Sequence, residues 1–271
     1  MMHISFQPKI VSTPIVGIEG VTQTKSCFAF SFGRAGSTLM FDMLRAVSSK
    51  LPLSYFSIED ELYSSGRYGV NRPKGLDFSY SANGVIYGGF RKYPSYEIKD
   101  IDLAKAVWLV RDPRDMMVSR YFSLVYSHAA PTKAGVKTLE KFYASRVAAK
   151  KIEINRFVLQ RQIVPLAKEI ESYYARAFPS RSNVRIYRYE DVIFDKARWL
   201  ADMCDWLEIK ISMADIESIT SSFNQLPSIE APNNHIRKVT PGKFREHLLP
   251  ATIKRIEGTF AEFMNDFEYL D

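Results

Sequence analysis

The segment Cys27–Leu39, CFAFSFGRAGSTL, decides how the rest of the chain reads. Cys27–Phe32 is an apolar run broken only by Ser31, which suits a strand buried on both faces of a parallel sheet. Gly33 and Gly36 follow, and they let the backbone bend close to a ligand. Leu39, Met43, Leu44 and Val47 then recur at helical spacing, so a helix is expected over 37–47. A strand that runs through a glycine turn into a helix points unpaired N–H groups and the positive end of the helix dipole at one place. Such a place attracts an anion. Ser37 and Thr38 add hydroxyl donors. Arg34 adds a permanent charge and a forked set of N–H groups that matches an oxyanion.

The same grammar returns in Ala106–Phe122, AVWLVRDPRDMMVSRYF. Ala106–Val110 reads as a second buried strand and 114–126 as the helix after it. Arg111 and Ser119 flank the start of that helix, eight residues apart. Two anion-binding segments in one α/β chain point to a ligand with phosphates at both ends. Asp112 lies between Arg111 and Arg114, so it is expected to orient arginines rather than to hold a metal. The loop 33–38 is also not G-x-x-x-x-G-K-[ST], because no lysine precedes Ser37. A nucleoside triphosphatase would need that lysine and a Mg²⁺ carboxylate as well.

Outward from these segments the chain alternates strands and helices. Val85–Phe90 and Val184–Tyr187 read as further strands. Helices are expected over 138–178 with a break at Pro165, over 196–207, over 212–224, and over 249–265 as one closing helix. Residues 1–25, 48–84 and 227–245 read as irregular. The expected fold is α/β, with a central, mostly parallel sheet flanked by helices on both faces and a P-loop-like nucleotide site beyond the carboxyl ends of the strands. At 271 residues and 46% hydrophobic composition, 1–271 is expected to be a single domain.

A net charge of +7 favours anionic partners, but no polybasic tract marks a nucleic-acid or membrane surface. The two cysteines, Cys27 and Cys204, fall on apolar positions and read as buried free thiols. No Cys/His spacing suggests a metal. The first twenty residues resemble neither a secretory signal nor a spanning helix, which leads to a cytoplasmic expectation.

With these residues in view, the chain resembles the sulfotransferases that use 3′-phosphoadenosine 5′-phosphosulfate (PAPS). FGRAGSTL, 32–39, is similar to that family's 5′-phosphosulfate loop, and LVRDPRDMMVSRYF, 109–122, to its 3′-phosphate motif. IYRYEDV, 186–192, SSFNQL, 221–226, and HIRKVTPGKFREHL, 235–248, resemble later elements in family order. The resemblance implies that Gly33, Arg34, Ala35, Gly36, Ser37 and Thr38 hold the 5′-phosphosulfate. It implies that Arg111 and Ser119, joined by Arg237 and Lys238, hold the 3′-phosphate, and that Tyr189 and Phe223 touch the adenine. The product nucleotide would be 3′-phosphoadenosine 5′-phosphate (PAP), and no metal would be required. Three positions depart from the family pattern. Gly33 stands for a proline, Leu39 for an adenine-stacking tryptophan, and Val239 for the glycine of Arg-Lys-Gly.

The family's base-bearing Lys-Thr-His is also missing: the corresponding stretch, GGFRKYPSYE over 88–97, has no histidine. Branches that lack it use a glutamate soon after the first helix, which here means Glu59 in SYFSIEDELY, 54–63. His128 is the second candidate and Glu97 stays open. Arg34 would neutralise charge on the departing phosphate oxygen. The implied function is transfer of a sulfuryl group to a hydroxyl or amine of a small-molecule acceptor, with a homodimer left open. A P-loop kinase and a nucleotide-binding homologue without activity are the other two readings. The acceptor is expected at the loops 48–84 and 127–137 and the helices around 139–178, and Tyr63, Tyr68, Phe78 and Tyr80 make the first of these rich in aromatics, which suits a flat or cationic acceptor.

Overall fold

A computed structural model describes residues 24–57, 59–60, 81–95, 97–98, 101–132, 134–223 and 240–270. Its centre is a sheet of five parallel strands: β1 (Cys27–Ser31), β2 (Ser54–Phe56), β3 (Val85–Phe90), β4 (Ala106–Val110) and β5 (Val184–Arg188), in the spatial order β2-β3-β1-β4-β5. Because every pairing is parallel, all five strands end at one edge. The order reverses between β3 and β4, on either side of β1, and ligands of such sheets bind at this kind of switch point.

Alternate residues of each central strand feed different cores. Phe28, Phe30, Trp108 and Val110 face one side and Cys27, Ala29, Val107 and Leu109 the other. β1 and β4 are buried at every position, as strands covered on both faces must be. The first side is packed by α2 (Pro113–Phe122) through Met116 and Met117, by α4 (Ile163–Tyr174) through Leu166, Ile170 and Tyr173, and by α7 (Pro250–Thr259) and α8 (Ala261–Asp266) through Ile256 and Phe263. The second side carries α1 (Ser37–Lys50), α5 (Lys196–Trp206) and α6 (Met213–Ser221) through Met40, Leu44, Trp199 and Ile219. The long helix α3 (Val136–Lys150) buries only Ala149.

Four local expectations need correction. The stretch 48–84 contains β2, a strand too short to show alternation. The expected helix 114–126 gives way after Phe122 to a π-helical turn, Ser123–Ser127. The helical stretch 138–178 breaks at Lys151–Glu153 rather than at Pro165. There Glu153 caps a new start by accepting from the N–H groups of Asn155 and Arg156 at 2.9 and 3.1 Å. A π-helical turn, Val158–Gln162, lies just before Pro165, and its wider winding accommodates the ring without ending the helix. The closing helix 249–265 is two helices hinged at Phe260, whose φ is −112°.

β3 carries a bulge against β1: Phe28 pairs with Tyr87, but Phe30 pairs with Phe90. Gly88 and Gly89 make it possible. A Cβ on Gly88 would lie 2.2 Å from the Tyr55 hydroxyl, and one on Gly89 would lie 1.7 Å from Ser57 Oγ. β2 therefore sits close over β3, next to the edge where the site forms.

Candidate active site

The turn after β1 is built by backbone that few residues tolerate. Arg34 has φ +77° and Gly36 has φ +92°. A Cβ at Gly36 would lie 2.6 Å and 2.8 Å from two carbons of the Tyr189 ring. Glycine is therefore required there twice over, by its dihedral and by the ring beneath it. α1 starts at Ser37, and Met40 N–H makes the first helical bond, to Gly36 O at 3.1 Å. No side chain caps this end and no acid sits in the first turn. The leading N–H groups and the dipole of a fourteen-residue helix thus remain for an anion.

The helix after β4 is arranged differently. Asp112 caps α2 by accepting from Arg114 N–H at 2.8 Å, and its carboxylate takes three further contacts from the Arg114 guanidinium at 2.7–3.1 Å. Asp112 does orient an arginine, as expected, but that arginine is Arg114. Its carboxylate fills the anion position at the α2 terminus. In this segment Arg111 is left as the candidate anion ligand.

Arg111 is held from three sides. Nη1 donates to Arg34 O at 3.2 Å, the guanidinium carbon stands 4.3 Å from the centre of the Tyr189 ring, and Nη2 is 3.7 Å from Asp115. Its Nε is buried with no acceptor. Arg34 Nε in turn donates to Ser119 Oγ at 3.2 Å. Arg34, Arg111 and Ser119, far apart in sequence, thus meet. Such a cluster can bind a polyanion with phosphate-sized groups on both sides of the junction.

Tyr189 lies below this junction with only 3% of its surface exposed. Its ring props Gly36 and faces Arg111. Burial holds its hydroxyl proton above the ordinary value, and Arg111 pulls the other way. Phe223 is partly buried just beyond α6, against the second-side core. Arg237 and Lys238, with Tyr63, Tyr68, Phe78 and Tyr80, lie outside the described residues.

Glu59 follows β2 at the same sheet edge and is 1% exposed. Only β3 separates β2 from β1, so the two strands that lead to Glu59 and Arg34 run about 10 Å apart. The next residue fixes that turn. Asp60 N–H donates to Ser57 Oγ at 3.1 Å, and the Asp60 carboxylate accepts from Arg91 at 2.8 Å and Arg45 at 3.4 Å. His128 lies beyond the C-terminal end of α2 and the π turn, nine residues after Ser119. Its ring lies 6.0 Å from that of Phe142.

Three residues of this region gave no sequence signal. Asp115 accepts from the N–H groups of Gly242 at 2.7 Å and Phe244 at 2.9 Å, which pins residues 242–244 beside Arg111. Arg120 pairs with Glu169 of α4, and its Nη2 is 3.9 Å from where a Gly33 Cβ would stand. Tyr269 reaches Glu190 from the C-terminal end of the chain. Each depends on a contact across 49 or more residues, which no local pattern announces.

The sulfotransferase domain model matches residues 98–268. No curated protein matches the sequence significantly. Among solved structures, mouse sulfotransferase SULT7A1 complexed with PAP is similar over 89% of this chain and 85% of its own, at 15% identity and a TM-score of 0.54. Retinol dehydratase in a complex with retinol and PAP is similar over 91% of this chain and 83% of its own, at 16% identity and a TM-score of 0.50. These likenesses carry the fold, and the match over more than half of the sequence carries the family: the chain belongs to the sulfotransferase domain family.

Proposed function

We propose that this protein transfers a sulfuryl group from PAPS to a hydroxyl or amine of a small-molecule acceptor by in-line displacement, releasing PAP. The observation that carries the reading is the junction in which Arg111 binds the Arg34 carbonyl and Arg34 binds Ser119. The residues fit a doubly phosphorylated adenosine. The α1 terminus is uncapped and Arg111 Nε is a buried donor without an acceptor. PAP in the two similar complexes supports the choice of nucleotide. A cytoplasmic enzyme with neither nucleic acid nor membrane as partner completes the reading.

When bound, the nucleotide supplies a sulfuryl group joined to its 5′-phosphate. The loop 33–38 and the first N–H groups of α1 hold the 5′ end, and Arg111 and Ser119 hold the 3′-phosphate, with Arg237 and Lys238. Phe223 flanks the adenine, and Tyr189 supports the loop from below. Arg34 stabilises the negative charge that grows on the bridging oxygen as the sulfur–oxygen bond breaks. Glu59 takes the acceptor's proton as the new bond to sulfur forms. Asp60, through Arg91 and Arg45, keeps the Glu59 turn in place.

Isothermal titration with PAP and with Mg-ATP tests the binding half, and transfer of labelled sulfate from PAPS to an acceptor panel tests the chemistry. Binding of PAP in preference to ATP, with label transferred, is the expected result. Tight ATP binding without PAP binding would replace the reading with a kinase. PAP binding with no transfer to any acceptor would leave a nucleotide-binding homologue.

A further inference from the structure

Tyr269, two residues from the end of the chain, is 6% exposed and tied to both flanks of the Arg111 segment. Its hydroxyl donates to Glu190 Oε2 at 3.0 Å, and Glu190 Oε1 accepts the Asp112 N–H at 3.1 Å, so the peptide joining Arg111 to Asp112 is gripped through one carboxylate. Its carbonyl accepts from Arg114 Nη2 at 2.7 Å, and Arg114 holds Asp112 and, at 2.6 Å, Glu257. Arg188, at the end of β5, stands 5.1 Å from the Tyr269 ring centre and pairs with Glu268 at 3.0 Å.

We propose that Tyr269 and Glu190 are positioning residues for the nucleotide's 3′-phosphate: they form a latch that fixes the Arg111–Asp112 peptide and thereby sets discrimination between nucleotides with and without that group. The inference rests on reading Arg111 as the 3′-phosphate ligand. The backbone of Arg111 sets where its guanidinium starts, and the contacts with Arg34, Tyr189 and Asp115 then fix it. The peptide following Arg111 is held by a residue at the opposite end of the sequence, while the guanidinium keeps a donor for the ligand. A loosened peptide spreads the arginine over several orientations, of which only some meet the phosphate. The 5′ end of the nucleotide, held chiefly by the first N–H groups of α1, would sense the change less, through the single contact of Arg111 with the Arg34 carbonyl. Glu190 bears the strain of this position, since burial raises its carboxyl above the ordinary 4.5 although the Asp112 N–H, Arg111 and Tyr269 lower it.

The test is titration of the full chain with PAP and with adenosine 5′-monophosphate, which lacks the 3′-phosphate. Tyr269→Phe keeps the ring in the core and removes one hydroxyl. It should weaken PAP about tenfold, as the loss of one hydrogen bond to a charged group allows, and leave the monophosphate within about twofold. Glu190→Ala should do the same, and Glu190→Gln, which can still bridge Asp112 and Tyr269, should retain most of the affinity. Equal weakening of both nucleotides, or unchanged PAP binding by Tyr269→Phe, would overturn the latch. If the unmodified protein itself fails to prefer PAP over the monophosphate, the assignment of Arg111 falls first and takes the latch with it.

Discussion

Arg111 donates from Nη1 to the carbonyl oxygen of Arg34 across 3.2 Å, so the segment after β4 holds the backbone of the turn after β1. That turn carries Arg34 at a φ of +77°, a left-handed conformation that a non-glycine residue adopts only at a cost of about 1–2 kcal/mol. The contact of Arg111 with the Arg34 carbonyl offsets part of this cost, and it ties two segments that each carry an arginine to one turn. Each arginine is a donor whose natural acceptor is a phosphate oxygen, which is why the cluster favours a polyanion over a neutral ligand.

Arg111→Lys should weaken PAP roughly 10- to 100-fold. A lysine offers a point charge without the fork, and the Arg34 carbonyl and the ligand would compete for it. Arg34→Ala should act mainly on turnover, by roughly 10²–10³-fold, with PAP affinity falling much less, because its task begins when charge develops on the leaving oxygen. Steady-state kinetics beside titration separates the two. Equal losses in binding and turnover for Arg34→Ala would make it a binding residue only.

Gly36→Ala tests the support under the loop. The added methyl meets the Tyr189 ring at 2.6 Å in a backbone with φ +92°, and neither can yield cheaply because Tyr189 is also packed against Arg111. Loss of PAP binding, with a melting temperature several degrees below that of the parent protein, is expected. Tyr189→Ala in the same chain should restore part of the stability by clearing the ring, although the dihedral strain remains.

Glu59→Gln should lower turnover by roughly 10²–10⁴-fold and leave PAP affinity unchanged, since Glu59 follows β2 and the nucleotide segments follow β1 and β4. His128→Gln should have no such effect. Turnover that survives Glu59→Gln would remove Glu59 as the base.

The parts of this fold that were legible in the sequence are those with a local signature. Cys27–Ser31, apart from Ser31, and Ala106–Val110 are apolar because both faces are covered, and the two glycines of 33–36 mark a turn in which Gly36 must be glycine. β2 was not legible: three residues cannot show a period, and Tyr55 is held over Gly88 by tertiary contact alone. Pro165 misled because a π turn can absorb a proline that an α-helix cannot. In the site, Arg34, Arg111 and Ser119 were readable from spacing beside a strand end. Asp115 was not, since the N–H groups it binds belong to residues 242 and 244. Tyr269 is one aromatic in a C-terminal stretch, and only the fold brings it to the Arg111 segment.

The charge on Glu190 has a measurable consequence for stability. Burial raises its folded-state pKa above the ordinary 4.5, so the folded chain binds this proton more tightly than the unfolded chain does. The stabilising contribution is therefore complete below pH 4.5 and is lost as the pH rises through the folded value. Burial thus opposes the ionised form of Glu190 in the native protein. Glu190→Gln removes that charge while keeping an acceptor for the Asp112 N–H. Its melting temperature should equal or exceed that of the parent at pH 7, and the difference should narrow as the pH falls toward 4.5. Asp112, whose carboxyl burial also raises, is present in both proteins and cancels from the comparison. Thermal melts of the two proteins at several pH values provide the check. A difference that widened on acidification would mean that the ionised Glu190 stabilises the fold, and that Tyr269 and Asp112 hold it more strongly than burial opposes it.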